Sequence, residues 1–405
     1  MTKDNPQWIA AELRAPLAIA ISTFFIWGLA YGLLDVLNKH FQEVLHVGKA
    51  ESTWLQIAYF GAYLTMSLPA GALLHRRGYK FSLLSGLVIA ACGAFLFVPA
   101  AQAVSFPFFV GAMFVLATGL CFLETAADTY VNVLGPADRA PQRLNLAQSF
   151  NSVGVFIGPL LGGAFLFGTK EAGTELHSVQ IIYGVIGVAI LLYAVFVARA
   201  HLPEIAEPQT EDGTAGAPLA QRRHFVLGVL TQALYIGAQV GCGAFFINAA
   251  TESLPGLTSE KAAYLLSLAM LGYLVGRFAT TALMTRIAPN KILLTYGVIN
   301  TLLCVVIASG AGQISVAALI AAFFFMSTMF ATIFALGVRD LGAQTKRASS
   351  IMVMAIGGGV LLPYPMGLIA ESHGTPIAFL LPAACFLLVA WYGWRGAQSV
   401  VEVKV

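Results

Sequence analysis

Charge is what this sequence has least of. Asp, Glu, Lys and Arg make up 10% of its 405 residues, where a water-soluble domain carries roughly 25%. The length alone would allow two or three soluble domains, but so few charges cannot cover their surfaces. The net charge is only +3 and no basic run occurs, so nothing points to nucleic acid as a partner. Cysteine is sparse as well. Cys92, Cys121, Cys242, Cys304 and Cys385 all lie in apolar runs, with none paired at metal-ligand spacing. They read as small core hydrophobes rather than disulfides or a zinc site. No G-x-x-x-x-G-K-[ST] string is present, which argues against an ATP-driven pump. The histidines sit outside the apolar runs or near their ends, with His40, His46, His177 and His373 on one side and His75, His201 and His224 on the other. No convergent set of histidine and carboxylates is seen, so an enzyme is not expected, nor is a cofactor or a metal.

What is present is apolar. Hydrophobic residues make up 58% of the chain and the mean hydropathy is +0.81, so most of the surface is expected to face lipid. A membrane span needs about 20 mostly apolar residues. Candidate spans cover residues 16–41, 52–74, 81–101, 106–133, 143–168 and 178–199, then 224–250, 261–285, 291–309, 314–338, 348–369 and 375–394. The long hydrophilic stretch is 200–223, AHLPEIAEPQTEDGTAGAPLAQRR, the natural linker between two sets of six. The expected organisation is therefore an N-terminal six-helix bundle over 1–199, a cytoplasmic linker over 200–223 and a C-terminal six-helix bundle over 224–405. The apolar stretch after the polar N-terminus is too long for a signal-peptide core, so it is read as a retained first span.

Lys and Arg set the orientation. With both termini inside, seventeen of the 22 fall on the cytoplasmic side, while Lys39, Lys49, Lys170 and Lys261 fall outside and Arg277 lies in a span. The expectation is a multi-pass protein of a cytoplasmic (inner) membrane with cytoplasmic N- and C-termini. The halves also echo each other. GALLHRRGYKFSLLSG (71–86) and GRFATTALMTRIAPNKILL (276–294) each pass from a small-residue helix end through basic residues into a short turn, the internal symmetry expected of repeat-built transporters. The first string resembles the loop motif of the major facilitator superfamily, with His75 where the family usually has an acid. The fold expected is all-α, a major facilitator fold with 12 transmembrane helices in two pseudo-symmetric six-helix bundles. Such a bundle encloses a path by itself, so a monomer suffices.

Ionisable residues inside the candidate spans are few: Asp35, Glu124, Asp128 and Arg277. A charge at mid-bilayer costs roughly 2.5–3.5 kcal/mol on insertion scales and usually faces a cavity or a partner. A carboxyl there can load a proton from one side and release it to the other, or accept hydrogen bonds from hydroxyls. Asp35 and Glu124 are the proton-coupling candidates, Glu124 also touching substrate. The plainer readings are a helix cap at the water interface for Asp35 and a helix-bridging carboxyl for Glu124. Asp128 and Arg277 are expected at a gate or as pairing groups. Amides and phenols recur at helical spacing: Asn145, Gln148 and Ser152 with Asn151 beside them; Gln232, Tyr235 and Gln239; Gln56, Tyr59 and Tyr63. Each set shares a helix face. Buried amides need partners, and a sugar offers hydroxyls that both donate and accept. The first two sets read as substrate contacts and the third as glue between helices. Trp27 and Tyr31 can stack on the apolar face of a sugar ring. The cluster IGGGVLLPYPMG (356–367) suggests close packing or a bend in the eleventh span rather than phosphate binding.

FFIWGLAYGLLDVLNKHF (24–41), GLCFLETAADTYVNVLGP (119–136), RLNLAQSFNSVG (143–154), QALYIGAQVGC (232–242) and IFALGVRDLGAQTK (333–346) together resemble the L-fucose:proton symporter family, which includes the glucose/galactose transporters. The resemblance implies proton-coupled monosaccharide symport by alternating access. It matches Asp35 and Glu124 to the family's two membrane acids, and Trp27, Gln148 and Asn151 to its sugar cavity. The chain departs from the pattern at Leu34, Tyr31, Gly32, Asp128, Gly243 and Asn248, all near the implied site. Two readings compete with uptake by proton symport. One is proton-driven efflux of a sugar or drug; the other is sodium-coupled sugar uptake.

Overall fold

The computed structural model describes residues 11–135, 140–167, 175–203, 218–284, 286–339, 341 and 344–396. Among them the regular elements are helices, with no strand. Eleven helical segments are long and apolar enough to cross a membrane, and one of these, Lys49–Gln102, is 54 residues long and holds two spans. The path inside it breaks at Gly78, whose φ of 79° only glycine adopts without strain. Twelve spans result.

The helices are α1 (Arg14–Val44), α2 (Lys49–Ser52), α3 (Trp54–Gln102), α4 (Phe106–Val133), α5 (Ala140–Leu166) and α6 (Glu175–Arg199), followed by α7 (Arg223–Ala244), α8 (Phe246–Ser253), α9 (Ser259–Leu283) and α10 (Pro289–Ala308). The last are α11 (Gln313–Met326), α12 (Met329–Gly337), α13 (Thr345–Met354), α14 (Pro363–His373), α15 (Thr375–Ala378) and α16 (Leu380–Trp391). The fourth span has the bounds expected from hydropathy. Spans seven, ten, eleven and twelve are instead broken, as α7–α8, α11–α12, α13–α14 and α15–α16. In span eleven the backbone tightens to a 3-10 turn over Ala355–Val360, where three glycines give little helical support and Pro363 and Pro365 supply no N–H. The bend expected from the IGGGVLLPYPMG string is there.

Packing groups the described residues into two units. One draws on 1–33, 65–158 and 169–209, the other on 34–64, 159–168 and 210–405. These bounds follow contacts, not the two halves of the chain, so the six-plus-six division stays an expectation. Residues 204–217 of the expected linker lie outside the described residues.

In the first unit, small residues bring backbones together. Gly28 and Gly32 of α1 face Gly154 and Gly158 of α5. A Cβ on Gly32 would lie 2.6 Å from the Val155 carbonyl oxygen, and one on Gly154 would lie 2.5 Å from that of Phe25. Two small-x-x-x-small faces thus interlock, as membrane helices require when lipid removes the hydrophobic drive to associate. Farther round, Phe97 of α3 stacks on Tyr183 of α6 with centroids 3.8 Å apart. Arg143 is fully buried. Its Nε donates to the Val131 carbonyl at 2.9 Å and its Nη2 to that of Asn132 at 2.8 Å, satisfying the exposed carbonyls at the end of α4.

In the second unit, α7 packs on the bent span eleven, where a Cβ on Gly237 would meet the Gly358 carbonyl oxygen at 3.0 Å. Gly297 of α10 makes a similar approach to Ala390 of α16, at 2.8 Å from its nitrogen. Four of the five cysteines are buried and free, as small core residues; Cys92 is exposed instead.

Gly154→Val should force α1 and α5 apart. The expected loss is about 1–3 kcal/mol, read as a lowered Tm in detergent, while Gly111→Ala, which meets nothing within 4 Å, should leave Tm within error.

Candidate functional site

The first unit carries Trp27 and Tyr31 on α1, Glu124 and Asp128 on α4, and Gln148 and Asn151 on α5. Trp27 sits edge-on to Phe24 at 6.1 Å, and Tyr31 follows one turn later, both half-buried. Glu124 and Asp128 lie one turn apart on the same face of α4, also half-buried. Asp128 Oδ1 is shielded and has no hydrogen-bond partner among the described residues. Asn151 donates from Nδ2 to the Phe24 carbonyl at 3.3 Å, so part of this amide ties α5 to α1. Ser152 turns back to the Gln148 carbonyl at 3.0 Å. The backbone of Asn145 belongs to α5, but its side chain lies outside the described residues.

The second unit carries Asp35, Gln232, Tyr235 and Gln239. Asp35 is 2% exposed, and α1 continues for nine residues beyond it, to Val44. It is therefore an interior carboxylate, not the interfacial helix cap that the shorter span suggested. Asp35 Oδ2 has no partner among the described residues. The same lengthening of α1 buries His40, expected outside, against the Phe167 ring at 5.7 Å. Gln232 is fully buried with neither amide atom bonded within the described residues; Gln239, two turns on, is half-buried.

Tyr235 behaves differently from the other members of its stripe. It is fully buried, and its hydroxyl donates to the Met326 carbonyl at 2.7 Å. That carbonyl ends α11, where the break at Ser327–Thr328 removes a helical partner. The periodicity that put Tyr235 with Gln232 and Gln239 correctly gave its face, but it gave no sign that the hydroxyl serves a helix break. Asn38 does the same at the other break. It donates from Nδ2 to the Ala244 carbonyl at 2.8 Å, at the end of α7. The sequence had given Asn38 no role; its place one turn after Asp35 was the available signal. Arg277, expected in a gate or pairing role, lays its guanidinium 5.3 Å over the Tyr273 ring rather than in an ion pair with an acid among the described residues.

Residues 18–363 match the Major Facilitator Superfamily. The chain belongs to this superfamily. It is 35% identical to the L-fucose-proton symporter of Escherichia coli (strain K12) over 413 residues, covering 96% of this chain and 94% of that protein. It is also 35% identical to the glucose/galactose transporter of Brucella abortus biovar 1 (strain 9-941) over 382 residues, covering 93% and 92%. Among solved structures, the superfamily transporter FucP in the outward conformation has TM-score 0.70 at 34% identity, covering 96% of this chain and 100% of that one. A D-xylose-proton symporter structure reaches TM-score 0.79 at 12% identity, covering 95% and 98%, and speaks to the fold alone. The resemblance to the fucose:proton symporter family holds across nearly the whole chain. This is an all-α integral membrane protein of the major facilitator fold.

If the Tyr235 hydroxyl serves the α11–α12 break, Tyr235→Phe should cost about 1 kcal/mol or somewhat more of stability, since a buried carbonyl loses its donor. Tm should fall while the KM for substrate stays within twofold. A large rise in KM at unchanged Tm would instead return Tyr235 to the substrate site.

Proposed function

We propose that the protein is a secondary active transporter that carries a monosaccharide inward together with a proton, by alternating access. The observation that carries the reading is Asp35: a carboxylate buried in a lipid-spanning helix, in no ion pair among the described residues and with an unbonded oxygen. Such a group is expensive unless it is used. Proton exchange is a use that requires no fixed counter-charge. Glu124 is the second acid, placed on α4 to link proton and sugar. Gln148, Asn151, Gln232 and Gln239 supply amides for hydroxyls, with Asn145 as a further candidate, and Trp27 and Tyr31 supply stacking faces. Tyr235 is assigned to the scaffold, and Asp128 and Arg277 to gating. The names of the relatives support the sugar class without choosing the sugar.

One proton falling through about 150 mV releases roughly 3.5 kcal/mol. At about 1.4 kcal/mol per decade, that sustains a gradient of a neutral solute of roughly a few hundredfold. No bound cofactor enters this scheme, and the proton is the coupling ion. Integral membrane character is plain from the spans; the cytoplasmic membrane, with cytoplasmic termini, is the placement favoured by the Lys and Arg distribution. A monomer is the working unit of the proposal, with the lipid bilayer and the sugar as its partners.

The test is internal acidification of lightly buffered proteoliposomes containing a pH-sensitive dye, on addition of fucose, galactose, glucose, mannose or N-acetylglucosamine. Acidification with at least one sugar is expected. Sugar entry without acidification would point to sodium coupling or facilitation, and silence with every sugar to efflux or another substrate. Glu124→Gln should keep sugar counterflow and lose uphill accumulation. Full accumulation by that variant would remove Glu124 from the coupling scheme.

A further inference from the structure

The second unit holds a set of contacts not used by the transport scheme above. They join the end of α1, the short α2 and the start of α3 to the break of span seven and the end of span eleven. Asn38 donates to the Ala244 carbonyl at 2.8 Å. One residue before that carbonyl, a Cβ on Gly243 would lie 2.5 Å from Asp35 Oδ2, so the carboxylate sits where any side chain at 243 would stand. One turn beyond the break, Asn248 of α8 donates to Gln42 Oε1 at 2.6 Å, and Gln42 donates to Ser52 Oγ at 2.9 Å. Lys49 Nζ meets Glu252 Oε1 at 2.6 Å, and Glu252 Oε2 accepts from the Thr375 backbone N–H at 2.8 Å. The Ala50 backbone N–H donates to Glu371 Oε1 at 2.9 Å.

The bond at Ala244 differs in kind from the others. The Lys49–Glu252 pair is partly exposed, where water can replace either partner and the net effect is small. Asn38 and Ala244 are buried. A carbonyl released by a helix break and shut away from water needs a protein donor. When these segments part, water can reach the same carbonyl. The Asn38 bond therefore favours the joined arrangement specifically, and Gly243 allows it by leaving room for Asp35.

We propose that Asn38 and Gly243 are positioning residues for transport: they seat α1, with Asp35, on the break of span seven and so hold the outer side closed. The proposal rests on alternating access with the orientation proposed above. Losing the donor leaves the closed arrangement with an unbonded buried carbonyl and shifts the population toward the outward-open one.

A cysteine at Ala50, buried beside Gly367, reports on this closure. It is placed in a full-length chain with the exposed Cys92 replaced by Ser and reconstituted in oriented liposomes. Labelling by a membrane-impermeant maleimide added outside, without sugar or proton gradient, is timed. Asn38→Leu and Gly243→Ala should each label at least about fivefold faster than the reporter chain, with sugar counterflow still measurable as evidence of folding. Asn38→Ala, which adds no bulk, guards against misfolding of the bulkier variants. Labelling within twofold of the reporter chain in both Asn38→Ala and Gly243→Ala would overturn the proposal. The proton reading fails separately: Asp35→Asn with intact uphill accumulation sinks it and leaves the labelling result standing.

Discussion

A backbone carbonyl in lipid has no water to turn to, and this chain breaks its helices there in several spans. Each break releases carbonyl groups that an unbroken helix would satisfy. Two of them are met from another helix: Asn38 supplies Ala244, and Tyr235 supplies Met326. The interruption of span eleven, over Ala355–Val360, keeps its bonding by tightening to a 3-10 turn. The placement of interior polar side chains follows from these requirements before any substrate is considered. A polar residue in a span is thus under two claims, from the scaffold and from the solute. Gln232 and one oxygen of Asp35 have no scaffold partner among the described residues.

Close helix approach is the second constraint. Gly28 and Gly32 against Gly154 and Gly158 put α1 and α5 nearly backbone to backbone. That proximity places Trp27 and Tyr31 on the same stretch of α1 whose Phe24 carbonyl receives Asn151. Stacking rings and amides are brought near by the absence of side chains between them. The bulk of Arg143 works in the opposite sense, filling the turn after α4 with a guanidinium whose fork suits several carbonyls at once.

Much of this was legible from hydropathy. The bounds of α4, the twelve spans and the bend in span eleven follow from apolar runs and from the Gly-Gly-Gly and Pro-Tyr-Pro strings. The breaks at Phe245 and at Ser327–Thr328 were not legible, because neither site carries a proline; tertiary contacts maintain them. The end of α1 was misjudged for a related reason. Asn38, Lys39 and His40 look like the edge of a span, yet one bonds a carbonyl, one pairs with Glu43 at 3.4 Å and one packs against Phe167. Polarity in the sequence marks a need for a partner, and partners are found inside the protein as well as in water. Asp35 was recognised as important, but its depth depended on those three neighbours.

The turn at Gly78 has a consequence for how the chain is made. Spans two and three are joined through a single residue in a left-handed conformation, flanked by Arg76, Arg77 and Lys80. So little chain lies between them that they are expected to enter the bilayer as one hairpin, with the basic cluster staying behind as its anchor. For a protease or an antibody approaching from that face, spans two and three offer no loop to grip.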